Sequence, residues 1–303
     1  MTPPAALCAA PPREVRVAGH FGEWLQGRLG SGGPVVAVMM PSEAHAVRGW
    51  RVGDGALRID APGGLLSPEL HRRLVLALGR RARGALRLRA SMRPGSGCGS
   101  STAALMAVFR LTGAAPARPE AFADALLRIE GATDPLMMDA PATHLWSPRE
   151  GRSLDRLPAP PPVDVLGGFD GPPCRTVAKD TRFADISDLV SAWRGAEGPA
   201  AFAALATASA ERNHACRGGA DPARLVALAK GLGALGIVAA HTGSARGLIF
   251  APGQVPHSAA PALRALGLRD VRLYQMGQRP GADTLGRERT RAVGEACPDD
   301  PAN

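Results

Sequence analysis

The sequence predicts an α+β chain organised as two domains, and three observations carry that reading. Residues 14 to about 60 break into short β-like pieces, most of them separated by Gly or Pro. A glycine-serine run at 93–111, RPGSGCGSSTAALMAVFRL, passes without interruption into an apolar segment with helical spacing. A proline-rich stretch, LPAPPP at 157–162, then separates this half from a second one that reads strand, helices, strand, turn, strand, helix, strand. The chain has 303 residues, ample for one large or two ordinary cores.

Taken in order, the β-like pieces are 15–18, 24–27, 34–40, 45–50 and 56–59, as expected for hairpins of a mixed or antiparallel sheet. Residues 67–83 read as a helix whose apolar side is Leu70, Leu74, Leu76, Ala77 and Leu78, with Ser67-Pro68 as its start signal. A strand follows at 85–92, then the glycine run, then a mostly buried helix over 103–111. Residues 120–129 form another helix, ending before GATDPLMMDA, in which Thr133-Asp134-Pro135 has the composition of a tight turn. Beyond the linker come a strand at 163–166, helices at 183–193, 200–216 and 222–232, and a strand at 236–240. A second glycine loop, HTGSARG at 241–247, precedes a strand at 248–251, a helix near 258–266 and a strand at 270–276. The expected domains are 14–156 and 163–277, with 1–13 and the charged segment 278–303 as flexible tails.

Composition excludes several classes. The N-terminal MTPPAALCAAPPREV lacks the n- and h-regions of a signal peptide, and no apolar run approaches a membrane span, so a cytoplasmic protein without a membrane partner is expected. Five scattered cysteines with no C-x-x-C pair argue against a disulfide framework or a zinc site. The net charge of +9 rests almost wholly on arginine, Lys179 and Lys230 being the two lysines. Those arginines are dispersed and aromatics are few, so neither a basic arm nor a stacking platform for nucleic acid is visible. The sequence leaves the oligomeric state open.

The glycine run has the chemistry of a phosphate cradle. Gly95, Gly97 and Gly99 can take positive φ and leave backbone amides uncovered, while Ser100, Ser101 and Thr102 bring hydroxyls to the helix start. Free N–H groups and the positive end of the helix dipole there favour an anion, and the hydroxyls could ligate a nucleotide's magnesium. A capped helix after a flexible turn accounts for the same residues. The run is no Walker A loop, having no lysine; Ser100 stands where a dinucleotide fingerprint needs its third glycine, and G-x-S-x-G is absent.

Three segments together, AGHFGEWLQG at 18–27, GCGSST at 97–102 and AHTGSARGL at 240–248, resemble in order and spacing the three signatures of the GHMP small-molecule kinases. Within that superfamily the chain is most similar to the L-threonine kinases of propanediol utilisation and cobalamin synthesis, through GEWLQG and the segment IEGATDP at 129–135. The resemblance spans about residues 14–277. It implies an N-terminal domain like ribosomal protein S5 domain 2, a ferredoxin-like C-terminal domain, and ATP, Mg²⁺ and a small-molecule substrate between them. It further implies that Gly95, Ser96, Gly97, Cys98, Gly99, Ser100, Ser101 and Thr102 bind ATP, that Ser100, Ser101 and Glu130 serve the metal, and that Asp134 is the catalytic carboxylate. His20, Glu23 and Gln26, with Thr242, Gly243 and Ser244, would line the substrate side, and Arg246 would add positive field. Bland alternatives stand beside three of these: a solvated helix-end carboxylate for Glu130, a strand-edge charge for Glu23, and a core histidine at His241.

Four departures qualify the likeness. Pro94 stands one place nearer the glycines than usual, Gly19-His20-Phe21 replaces small residues, Cys98 takes a Leu or Met position, and Arg175 stands where those kinases tend to carry an acid. The last puts the amino-acid identity of the acceptor in question. Another hydroxylated acceptor, such as homoserine or mevalonate, and a nucleotide-binding sensor without turnover are the alternatives.

Overall fold

The computed structural model describes residues 11–80, 82–174 and 177–277. Its strands are β1 (Glu14–Arg28), β2 (Val35–Ala56), β3 (Arg58–Asp60), β4 (Arg83–Ala90), β5 (His144–Ser147), β6 (Arg152–Arg156), β7 (Val163–Phe169), β8 (Gly236–Ala239), β9 (Ala245–Phe250) and β10 (Arg269–Met276). Its helices are α1 (Pro68–Leu78), α2 (Ser100–Leu111), α3 (Pro119–Glu130), α4 (Ser187–Arg194), α5 (Gly198–Arg217), α6 (Ala223–Leu232) and α7 (Ala259–Ala265). One curled sheet runs β10-β7-β9-β8-β1-β2-β4-β3, antiparallel except at β3–β4, with β5 and β6 hung from β2. The two halves of the sheet meet at one β1–β8 pair, Glu23 opposite Ala239.

The short hairpins expected before residue 60 are two long bent strands instead. β1 shifts register between Ala18 and Gly19, between His20 and Glu23, and again before Leu25. Gly22 takes φ +67°, a conformation glycine reaches without strain, and Pro41 sits opposite His20 at an irregular step where its missing N–H costs little. Residues that read as breaks are therefore bulges, and they bend β1 toward β8.

α2 is the axis of the first half. Ten of its twelve residues are buried against β1, β2, β4 and α3, so its continuous apolar run suits a helix covered on nearly all sides. It begins at Ser100, three residues before the expected start. α1 stops at Leu78 because Gly79 closes it at φ 69°, which releases Arg83 to start β4. α4 starts at Ser187 rather than 183: the Asp185 carboxylate accepts from Ser187 N at 2.9 Å and from Gly30 N at 3.1 Å, fixing 183–186 against the first half. The pattern gave no sign of β5 and β6, whose short segments lie between prolines and a turn.

Residues 157–162 join no helix or strand, and the carbonyl of Pro158 accepts from Trp193 Nε1 at 3.0 Å. Trp193, Trp24 and Phe202 then pack edge to face, joining α4 and α5 to β1. A second apolar cluster lies among α6, α7 and their strands, around Leu225, Phe250 and Leu263. Arg175 and the tail beyond Gly277 lie outside the described residues. No helix among the described residues is long and apolar enough to cross a membrane.

Candidate active site

Two glycine loops interlock at the junction of the sheet halves. Gly95, Gly97 and Gly99 all have positive φ, 78°, 80° and 72°, conformations that glycine adopts without strain in the tight loop ahead of α2. A Cβ on Gly97 would lie 2.3 Å from Ala240 Cβ, and one on Gly243 would lie 2.4 Å from Gly97 N, so neither position has room for a side chain. The first loop is also tied to the bulge of β1, with Gly22 N donating to the Gly97 carbonyl at 3.1 Å and His20 N to the Cys98 carbonyl at 3.2 Å. The Ser96 carbonyl accepts from both Ser244 N and Ala245 N.

Beside the loops opens a cavity of about 330 Å³. His20, Glu23, Gln26, Gly95, Gly97, Cys98, Gly99, Ser100, Ser101, Thr102, Glu130, Asp134 and Thr242 of the expected set line it. Ser96 and Ser244 are buried behind the loops, where their backbones carry the interlock. Gly243 and Arg246 line a separate cavity of about 500 Å³ beyond the second loop, which removes Arg246 from the wall facing Asp134. His241 is the core histidine that its alternative reading describes: Nε2 meets Ser209 Oγ at 3.0 Å, and its backbone N donates to Glu23 Oε2 at 3.1 Å.

At the start of α2, hydroxyls and carboxylates converge. Ser101 Oγ donates to Glu130 Oε2 at 2.7 Å, and Thr102 Oγ1 to Glu130 Oε1 at 2.7 Å; Asp134 N donates to Thr102 Oγ1 at 3.3 Å. Glu130 ends α3, where the helix dipole disfavours a negative charge. Burial, and then the charge of Asp134, push its carboxyl up to about 8, against the pull of the Ser101 and Thr102 hydroxyls. A buried carboxyl next to a second acid and a hydroxyl is a hard-oxygen site short of positive charge, which is the chemistry that magnesium fits. No cluster of three or more His, Cys, Asp or Glu suited to a metal occurs among the described residues, so a cation here needs oxygens from a phosphate or water as well.

His20 Nε2 lies 3.4 Å from Asp134 Oδ2, a contact of charges rather than an aligned hydrogen bond. Burial works against a charged ring, but the Asp134 contact, with the charges of Asp134 and Glu23, raises its pKa above the ordinary value. The network explains the direction: Nδ1 faces the Gly22 carbonyl at 3.1 Å, so Nε2 needs its own proton to face a carboxylate. Burial also pushes the Cys98 thiol up to about 12, leaving it an inert space-filler.

The sequence reading missed Arg149 and Arg73, which line the same cavity, and the clamp that fixes Asp134. Trp146 Nε1 donates to the Thr133 carbonyl at 2.6 Å, and Thr133 N donates to the Pro148 carbonyl at 2.9 Å. β5 and its turn therefore set the position of Asp134. No local sequence signal marks this, since the contact joins segments brought together by β2.

No protein-family model matches the sequence, and no curated protein matches it. Solved structures do. The L. major mevalonate kinase in complex with R-mevalonate matches at TM-score 0.62 and 14% identity, over 90% of this chain and 99% of that one. A putative homoserine kinase from Listeria monocytogenes matches at TM-score 0.57 and 16% identity, over 87% and 96%. Mevalonate pyrophosphate decarboxylase from Streptococcus pyogenes matches at TM-score 0.60 and 10% identity, over 90% and 100%. At such identities the likeness concerns the backbone, and these three proteins differ in what their names say they act on. The curled sheet, the buried helix after the glycine loop and the matched length together show that the chain has the fold of the GHMP kinases.

Proposed function

We propose that the chain is an ATP-dependent phosphotransferase that moves the γ-phosphate to the hydroxyl of a small metabolite, with L-threonine as the first acceptor to test. The observation that supports it most is the convergence of a glycine loop, a hydroxyl-carboxylate cluster, and a fixed aspartate on one 330 Å³ cavity. The amides of 95–102 other than Ser96 N, which donates to the Arg93 carbonyl, and the dipole of α2 receive the phosphates. Ser101 and Glu130 would hold magnesium, with Ser100 beside them, and the metal would supply charge neutralisation on the phosphate oxygens.

Asp134 takes the hydroxyl proton of the acceptor. As the acceptor oxygen bonds to the γ-phosphorus, the bond from that phosphorus to the β,γ-bridging oxygen breaks, and its electron pair leaves with ADP. His20 Nε2, 3.4 Å from Asp134 Oδ2, holds that carboxylate in place between turnovers. The acceptor lies toward His20, Gln26 and Thr242; Glu23 contributes little directly, since one of its oxygens is occupied by His241 N. The partner is a small molecule, not nucleic acid or membrane.

The test is ADP release from purified protein with Mg-ATP and L-threonine, L-serine, homoserine, mevalonate or no acceptor, with the product identified by mass. Asp134→Asn should lower kcat with little change in ATP affinity, and undiminished turnover would remove Asp134 from its role. ATP binding without transfer to any acceptor would support a sensor instead.

A further inference from the structure

A phosphoryl group in transit spreads negative charge over its equatorial oxygens, and a fixed cation facing them lowers the barrier. The glycine loop contains no lysine, so a side-chain cation acting beside the magnesium would come from elsewhere in the cavity. Among the described residues, His20, Arg73 and Arg149 are the lysine, arginine and histidine side chains that line it. His20 is occupied by Asp134. Arg73 is half exposed and bound to Glu69 at 2.6 Å and to the Ile129 carbonyl at 3.3 Å.

Arg149 differs from both. It is partly buried, and among the described residues it forms no ion pair. Nη2 donates to the Asp180 carbonyl at 3.1 Å, and the guanidinium lies 5.4 Å from the centre of the Phe183 ring. These contacts orient the head without neutralising it. Its placement relative to Asp134 is fixed as well, because Pro148, its chain neighbour, accepts from Thr133 N at 2.9 Å. Burial and the nearby Arg217 act against the charge of Arg149, while Asp180 and Asp134 favour it.

Resting on the phosphotransferase reading above, we propose that Arg149 is a catalytic residue whose guanidinium binds the γ-phosphoryl oxygens during transfer. The covalent step is the one given above; Arg149 gains and loses no proton in it.

The experiment compares wild type, Arg149→Ala and Arg149→Lys in the full chain. It measures ADP release, Mg-ADP affinity by calorimetry, and recovery of rate by added millimolar guanidinium. Arg149→Ala should lower kcat about 10²- to 10³-fold, with Mg-ADP affinity within about twofold of wild type. Guanidinium should restore part of the rate to the alanine variant and none to wild type, and Arg149→Lys should fall between the two. An alanine variant that turns over normally overturns the inference. So does one in which kcat and Mg-ADP affinity fall together without guanidinium rescue, which would make Arg149 a brace for the 180–183 segment. If the alanine variant does not fold, the lysine variant decides by the same split between kcat and affinity. A wild-type chain that transfers to no acceptor overturns the phosphotransferase reading and this inference with it, whereas an active wild type beside an equally active Arg149→Ala overturns this inference alone.

Discussion

Gly99 gives the sharpest test of how the loop and the acid site are joined. It caps α2 at φ 72° and ψ 22°, and a Cβ there would stand 2.8 Å from His20 Cδ2, 3.0 Å from His20 Nε2 and 3.2 Å from Asp134 Oδ2. Gly99→Ala therefore carries two costs. The left-handed conformation costs an alanine about 1–2 kcal/mol, and crowding a ring that is 2% exposed adds about 1–3 kcal/mol. Their sum, about 2–5 kcal/mol, is readable by urea unfolding. The second cost depends on the imidazole and the first does not. Adding His20→Ala should relieve the crowding, so the double variant should be more stable than the sum of the two singles by about 1–2 kcal/mol. Additivity within about 0.5 kcal/mol would refute the claim that His20 packs against the loop at this point.

Three further outcomes follow from the same geometry. Burial, and then the positive charges of His20 and Arg272, hold His45 down to about 4; its folded pKa lies below the unfolded value, so this contribution to stability is complete above about pH 6.5 and is lost as pH falls toward 4. Urea unfolding across that window should show a slope that His45→Phe reduces, and an unchanged slope would assign the acid sensitivity to other groups. Cys98 should resist iodoacetamide in the folded protein at pH 8 while exposed Cys174 and Cys216 react, and early labelling of Cys98 by mass spectrometry would contradict its burial. Ser101→Ala, by removing the 2.7 Å bond to Glu130, should raise the KM for Mg-ATP, and unchanged ATP kinetics would take Ser101 out of the metal site.

What the sequence made legible was local. Glycines followed by hydroxyls and an unbroken apolar run specify a loop and a buried helix, and the structure has both at 95–111. The break in regular structure at 157–162 was equally plain, because successive prolines cannot donate to a sheet, and these residues join no helix or strand. The continuity of β1 and β2 was not, since Gly19, Gly22 and Pro41 carry the same composition whether they end a strand or bulge within one. β5 was invisible for a different reason: four residues have too little periodicity to register, and all four are buried by tertiary contacts alone.

The site divides along the same line. Ser101, Thr102, Glu130 and Asp134 could be nominated from their segments, but the roles of two of them depend on pairings that only the fold creates. Thr102 gives its proton to Glu130 and accepts from Asp134 N, so it joins the ends of two segments 28 and 32 residues away in sequence. A hydroxyl used in both directions has no proton left for a phosphate oxygen, and Ser101, which donates to Glu130 Oε2, is spent in the same way, so on the proposed reading that burden passes to Ser100 and the loop amides. Glu23 is similarly committed, because its Oε2 accepts from His241 N at the point where the two halves of the sheet meet. That bond latches the second glycine loop against β1, and the first loop is held by the same strand through Gly22 N. The bulged segment of β1 thus fixes both loops at once, and with them one wall of the cavity that Asp134 lines.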